Sequence, residues 1–212
     1  MIGDKLNILP EYFQLYTPIA DDVLKSHANS ERFVILIGGE SGSGKSVLST
    51  CIAQLLEEQN INCSLIQLDD YFKLPPTTNH KQREQNLSNV GVHEVNMELL
   101  QQHIDIFLEN KTSYITKPLS SHETNTISAE HFNLEGVKAL IIEGTYALYL
   151  QHAAYRIYIN RDYISTKANR IARSRDIIDE FSEKVLAIEH RLVTKSATDI
   201  DCTIQNDYTL TF

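Results

Sequence analysis

The residues best able to do chemistry stand close together near the N-terminal third of the chain. Gly39-Glu40-Ser41-Gly42-Ser43-Gly44-Lys45-Ser46 fits the pattern G-x-x-x-x-G-K-S in full. A loop of this type turns its backbone N–H groups inward around phosphate oxygens. Gly42 and Gly44 remove the side chains that would block that approach. Lys45 adds a point charge toward the terminal phosphates, and Ser46 offers a hydroxyl suited to Mg2+. A helix that starts here and runs on through Val47 adds its N-terminal dipole to the anion site. The expected ligand of residues 39–47 is therefore Mg2+ with ATP.

Passing a phosphoryl group to an alcohol also needs a carboxylate that orients or deprotonates the attacking hydroxyl, with further acids serving the metal. Asp69, Asp70 and Glu143 each follow an apolar run. Asp69 suits the base and lies within reach of the metal. Glu143 suits the metal, in the manner of the acid that ends a Walker B strand. Taken alone, each could equally be a helix cap or a solvated turn residue; the phosphate loop favours the chemical role.

These groups work only if strands deliver them to one edge. Phe33 to Ile37 reads as a buried strand running into the glycines, and Val47 to Leu56 continues as a helix. Cys63 to Leu68 reads as a second strand, followed by a long polar loop containing Pro75 and Pro76. Asn96 is placed to cap a helix through Asn110, with Leu99, Leu100, His103, Ile104 and Phe107 on one stripe. Tyr114–Thr116 and Thr126–Ser128 suggest a small hairpin. Val137 to Ile142 and Tyr155 to Ile159 give two more strands, Asp162 to about Val193 is helical in pieces, and Asp201 to Phe212 is β-rich. Residues 11–29 space Tyr12, Leu15, Tyr16, Ile19, Val23 and Leu24 as an amphipathic helix. Apolar strands alternating with helices predict an α/β P-loop NTPase fold, with a mostly parallel central sheet and helices on both faces.

Composition narrows the class. A chain of 212 residues suits a single kinase-sized domain, 1–212, with an N-terminal helical extension over 1–32. Nineteen basic against 28 acidic residues, a formal net charge of −9, disfavour nucleic acid and anionic membranes as partners. Cys51, Cys63 and Cys202 are odd in number and lack zinc or disulfide spacing, so a reducing cytoplasm is expected. No apolar run is long enough to span a bilayer, and Met1-Ile-Gly-Asp4 lacks the signature of a signal peptide.

From about Phe33 to Tyr208 the chain resembles the uridine kinase and phosphoribulokinase family of P-loop kinases. The likeness rests on the phosphate loop, on Leu68-Asp-Asp-Tyr-Phe-Lys73 and on Ile141-Ile-Glu-Gly-Thr-Tyr146. Arg173-Ser-Arg175-Asp176 is similar to the family's arginine-bearing lid, here about 165–180, and Asp199 to Asp207 to its closing strand. The resemblance implies that Asp69 is the catalytic base and that Ser46 and Glu143 serve Mg2+. It further implies that Lys45, Arg170, Arg173 and Arg175 neutralise the transferring phosphoryl group. On residue types alone, the arginines could instead form a solvated helix face. The chain departs from the family at the acceptor, where an Asn-aromatic-Asp-His-Pro stretch is replaced by Asn89-Val-Gly-Val-His-Glu94. Glu94 or His93 could substitute there, with Asp70, Tyr71 and Arg83 as further wall residues. The implied activity is ATP-dependent phosphorylation of a small-molecule hydroxyl, foremost of a nucleoside such as uridine or cytidine. A kinase for another metabolite (nicotinamide riboside, pantothenate, a sugar phosphate) and a non-catalytic ATP-binding regulator stay as alternatives. Family habit and the Tyr-rich N-terminal helix suggest a homo-oligomer.

Overall fold

The computed structural model describes residues 6–27, 29–173 and 179–212. Five strands form a parallel array: β1 (Phe33–Gly39), β2 (Cys63–Gln67), β5 (Ala139–Gly144), β6 (Tyr155–Ile159) and β7 (Cys202–Ile204). The short β8 (Leu210–Thr211) adds antiparallel, giving the order β2-β5-β1-β6-β7-β8. β1 and β5 are buried along their whole length, which is why neither alternates in sequence. The pairing Ile37↔Glu143 and Gln67↔Glu143 sets Glu143 between two neighbours at the carboxyl end of the sheet. Ligands of open parallel sheets gather at that end.

Alternate residues of each strand serve two cores. Phe33, Ile35, Ile37, Ile141 and Ile157 join α1 (Pro10–His27) and α2 (Lys45–Glu57) on one face. Val34, Leu36, Leu140, Ile142 and Tyr158 join α4 (Met97–Leu108) and Val193 of α6 (Glu180–Ser196) on the other. The expected α/β fold with helices on both faces is thus the one observed. The Asn96 side chain caps α4 by accepting from the Leu99 N–H at 3.2 Å.

Three departures concern single elements. The polar stretch after β2 is not a long loop: Pro76 to Gln85 forms α3, starting on a proline whose missing N–H costs a first turn nothing. The small hairpin is longer than expected, with β3 (Tyr114–Ser121) and β4 (Thr126–Asn133) paired over eight positions as a sheet of their own. The Tyr-rich face of α1 is turned inward. Tyr16 is buried in the chain's own core and Tyr12 packs against it, so this face is not an open surface for self-association.

Candidate active site

Between β1 and α2 the chain folds into the loop its glycines require. Gly42 and Gly44 take φ values of 76° and 107°, a region that favours glycine. A Cβ on Gly42 would come within 2.8 Å of Arg170 Cγ, so the loop and that arginine lie in close contact. Arg170 comes from α5 (Lys167–Arg173), is buried, and donates to the Tyr163 carbonyl at 2.7 Å and Thr166 Oγ1 at 2.9 Å. Thr166 and Asn169 hydrogen-bond the Ser41 and Gly42 carbonyls at 3.1 and 3.0 Å. The first part of the expected lid, residues 166–170, is therefore fastened to the phosphate loop. The Arg173 side chain and Arg175, expected in that lid, lie outside the described residues.

Lys45 Nζ donates to the Glu40 carbonyl at 2.9 Å, which keeps the ammonium folded over the loop. One residue on, Ser46 Oγ donates to Glu143 Oε1 at 2.8 Å, and Gln67 Nε2 approaches the same oxygen at 3.3 Å. Burial raises the Glu143 pKa, Lys45 opposes the rise, and the charge of Asp69 adds to it. A hydroxyl and a buried, under-compensated carboxylate are hard oxygen donors and fit Mg2+. Among the described residues no three acids, histidines or cysteines form a metal cage, and Mg2+ at a nucleotide relies on phosphate and water for its remaining ligands. Glu40 and Ser43 are buried within the loop, and Val47 packs into the core beneath it. His190 Nδ1 lies 2.6 Å from Glu40 Oε1, tying α6 to the phosphate loop. Burial raises the Glu40 pKa, and that histidine opposes the rise.

A cavity of about 380 Å³ opens from the loop toward α3 and α6. Ser41, Asp69, Thr145 and Arg170 line its nucleotide end; Phe72, Asn79, His80, Arg83, Phe181 and Glu189 line the rest, with Ser120 and His122 at the hairpin tip. Asp69 thus stands where phosphate loop and cavity meet.

The other acceptor residues expected from sequence divide. Arg83 lines the cavity, and its guanidinium grips Glu94 through two contacts at 2.6 and 3.0 Å and reaches Glu189 at 3.1 Å. Glu94 lies behind it, also accepting from Asn79 at 2.8 Å and from the Gly91 N–H at 2.6 Å, and is not part of the wall. Asp70 is a correction: it is 2 % exposed and turned to the hairpin, where Lys117 Nζ meets it at 2.8 Å and the Ser120 N–H at 3.1 Å. Tyr71 is another, buried with its hydroxyl 2.7 Å from His103 Nδ1 of α4. His93 is exposed outside the cavity, where its carbonyl accepts from Lys73. Missed altogether were Glu189 and His190 on α6, Asn79 and His80 on α3, and the Thr166/Asn169 clasp. Each sits on a helix or turn with no local motif: His190, Thr166 and Asn169 are distinguished by contact with the phosphate loop, and Glu189, Asn79 and His80 by lining the cavity.

Over 157 residues the chain is 28% identical to the bifunctional alpha-galactosidase/sucrose kinase AgaSK of Mediterraneibacter gnavus, covering 68% of this chain and 17% of that protein. It is 30% identical over 118 residues to a uridine kinase of Alkaliphilus metalliredigens, covering 55% of this chain and 53% of the relative. The matches thus span about half the length of one relative and a sixth of the other. In structure it resembles a protein of Silicibacter sp. TM1040 described as a fructose transport system kinase, with a TM-score of 0.69, 18% identity and coverage of 88% and 97% of the two chains. That last likeness speaks for the fold. The model of the phosphoribulokinase / uridine kinase family matches residues 34–176, two-thirds of the sequence, and with the phosphate loop, Asp69 and Glu143 all inside that span the chain belongs to this family of kinases.

Proposed function

We propose that the chain transfers the γ-phosphoryl group of ATP to a hydroxyl of a small polar acceptor, a nucleoside such as uridine or cytidine being the first class to test. The observation that carries this reading is the position of Asp69, at the junction of the phosphate loop and a cleft of small-molecule size. The acceptor hydroxyl enters from the cavity and donates to an Asp69 carboxylate oxygen. That oxygen takes the proton as the hydroxyl attacks. The loop N–H groups, Lys45 and Arg170 hold the phosphates and the charge that spreads over the transferring group. Ser46 and Glu143 would hold Mg2+, which would supply charge neutralisation at the phosphates. Helix α6 and the hairpin wall the site and exclude water as a competing acceptor.

A sugar is the second acceptor class. Two observations favour it: the sucrose kinase relative matches a longer stretch than the uridine kinase does, and Glu94, the nearest acid to the family's ribose-gripping position, is occupied by Arg83. A coupled ADP-release assay with Mg·ATP against nucleosides and sugars tests the reading. Acceptor-dependent release supports it. Nucleotide binding without release for any acceptor would instead favour a regulator.

A further inference from the structure

Arg83 lies between two acids, and the second of these faces the acceptor. Glu94 takes the Nε–Nη2 edge of the guanidinium and lies behind the cavity wall, whereas Glu189 lines the cavity and touches Arg83 Nη2 through Oε1 at 3.1 Å. Among the described residues its second carboxylate oxygen has no hydrogen-bond partner, although the residue is only 8 % exposed. Burial raises the Glu189 pKa, with Arg83 opposing and Glu94 and Asp69 adding to the rise. Two carboxylates sharing one arginine leave this wall acidic, and Asp69 adds a further negative charge across the cavity. The other described arginine of the cavity, Arg170, sits against Gly42 at the nucleotide end. Glu183 at the rim is engaged by Lys167 at 2.7 Å, and His80 by Glu84 at 3.5 Å.

Building on the kinase reading, the structure assigns Glu189 as the residue that selects the acceptor: its open carboxylate oxygen receives hydroxyl hydrogens of an uncharged polyol and repels an acceptor that already carries phosphate. A lone acceptor-only oxygen in a buried wall is matched by O–H donors and by nothing anionic. Arg83, clamped by Glu94 through Nε and Nη2, holds Glu189 through Nη2, and its single positive charge is shared between two carboxylates, which leaves little of it to attract a phosphate. The phosphate-bearing sugars that one branch of the family name suggests are thereby excluded, while free sugars and the ribose of a nucleoside are admitted.

The test pairs each neutral acceptor with its phosphorylated form. Wild-type protein with Mg·ATP is assayed on ribose and ribose phosphate, on fructose and fructose phosphate, and on uridine and uridine phosphorylated at its secondary hydroxyls. The expected result is kcat/KM at least ~10²-fold higher for the neutral member of the productive pair, since like charges brought together cost several kcal/mol. Glu189→Gln should raise the acceptor KM roughly 10- to 100-fold, leave the KM for ATP unchanged, and narrow the preference for the neutral acceptor. A phosphorylated acceptor turned over as well as its parent would overturn the assignment and leave the kinase reading standing. So would a Glu189→Gln protein of native thermal stability and unchanged acceptor KM. ADP release with no member of any pair would remove the kinase reading and the assignment together.

Discussion

Asp69, Asp70 and Tyr71 share one 3-10 turn, and their side chains leave it in three directions: into the cavity, to Lys117 of the hairpin, and to His103 of α4. At about three residues per turn, neighbours in such a segment point some 120° apart, so an acid next to a base need not share its site. Sequence alone sets Asp70 and Tyr71 on the acceptor wall beside Asp69 because the motif is contiguous and the turn is not visible in it. The phosphate loop was legible for the opposite reason, since its glycines, lysine and serine are each required at fixed spacing. Asp69→Asn should lower kcat by ~10²–10⁴-fold while ATP affinity by calorimetry stays within a small factor. Lys45→Ala should weaken ATP binding itself about 10- to 100-fold, because it removes a charge-assisted contact to phosphate. An unchanged rate in the first variant, or unchanged affinity in the second, would contradict these roles.

Among the elements, α3 and α6 were the least readable. Helix α3 is polar nearly all round and buries only Asn79, so it has no apolar period to detect; its role is to bring Asn79 and Arg83 to the cavity. Helix α6 was visible as a helix, yet nothing in its sequence marks Glu189 and His190 as facing the phosphate loop and cavity. The hairpin is tied to the catalytic turn by Lys117, which is 4 % exposed and contacts both Asp70 and Glu130 at 2.8 Å. Removing one partner of a buried pair strands the other charge. Lys117→Met should therefore cost roughly 3–5 kcal/mol in urea unfolding. The double variant Lys117→Met with Asp70→Leu should recover much of that loss, since the one acid it leaves unpaired, Glu130, is 39 % exposed and solvated. Equal instability of the two would mean that packing, not charge, sets the cost.

For the molecule as a whole, three acids without full compensation converge on one end of the sheet. Glu40, Glu143 and Glu189 all have folded-state pKa values raised above the ordinary 4.5, chiefly by burial. The folded form then binds protons more tightly than the unfolded chain. Unfolding free energy in the absence of nucleotide should fall as pH rises from about 4.5 through those raised values, and the loss is complete above them. Glu40→Gln removes one contribution, so its stability profile should decline less steeply over that window; chemical denaturation at a series of pH values measures this. A wild-type profile that rises over the same interval would contradict the assignment. The same acids hold cationic and polar side chains, Arg83 at Glu189 and His190 at Glu40, and their cost to stability is the counterpart of that attraction.

The hairpin forms its own sheet, sharing no backbone ladder with the six-stranded one, yet its tip supplies Ser120 and His122 to the cavity. That edge of the cavity therefore comes from a sheet that holds no part of the phosphate loop. A laboratory library confined to residues 120–126 would vary the edge of the cavity while leaving every residue of the loop, and the Ser46–Glu143 contact behind it, in place.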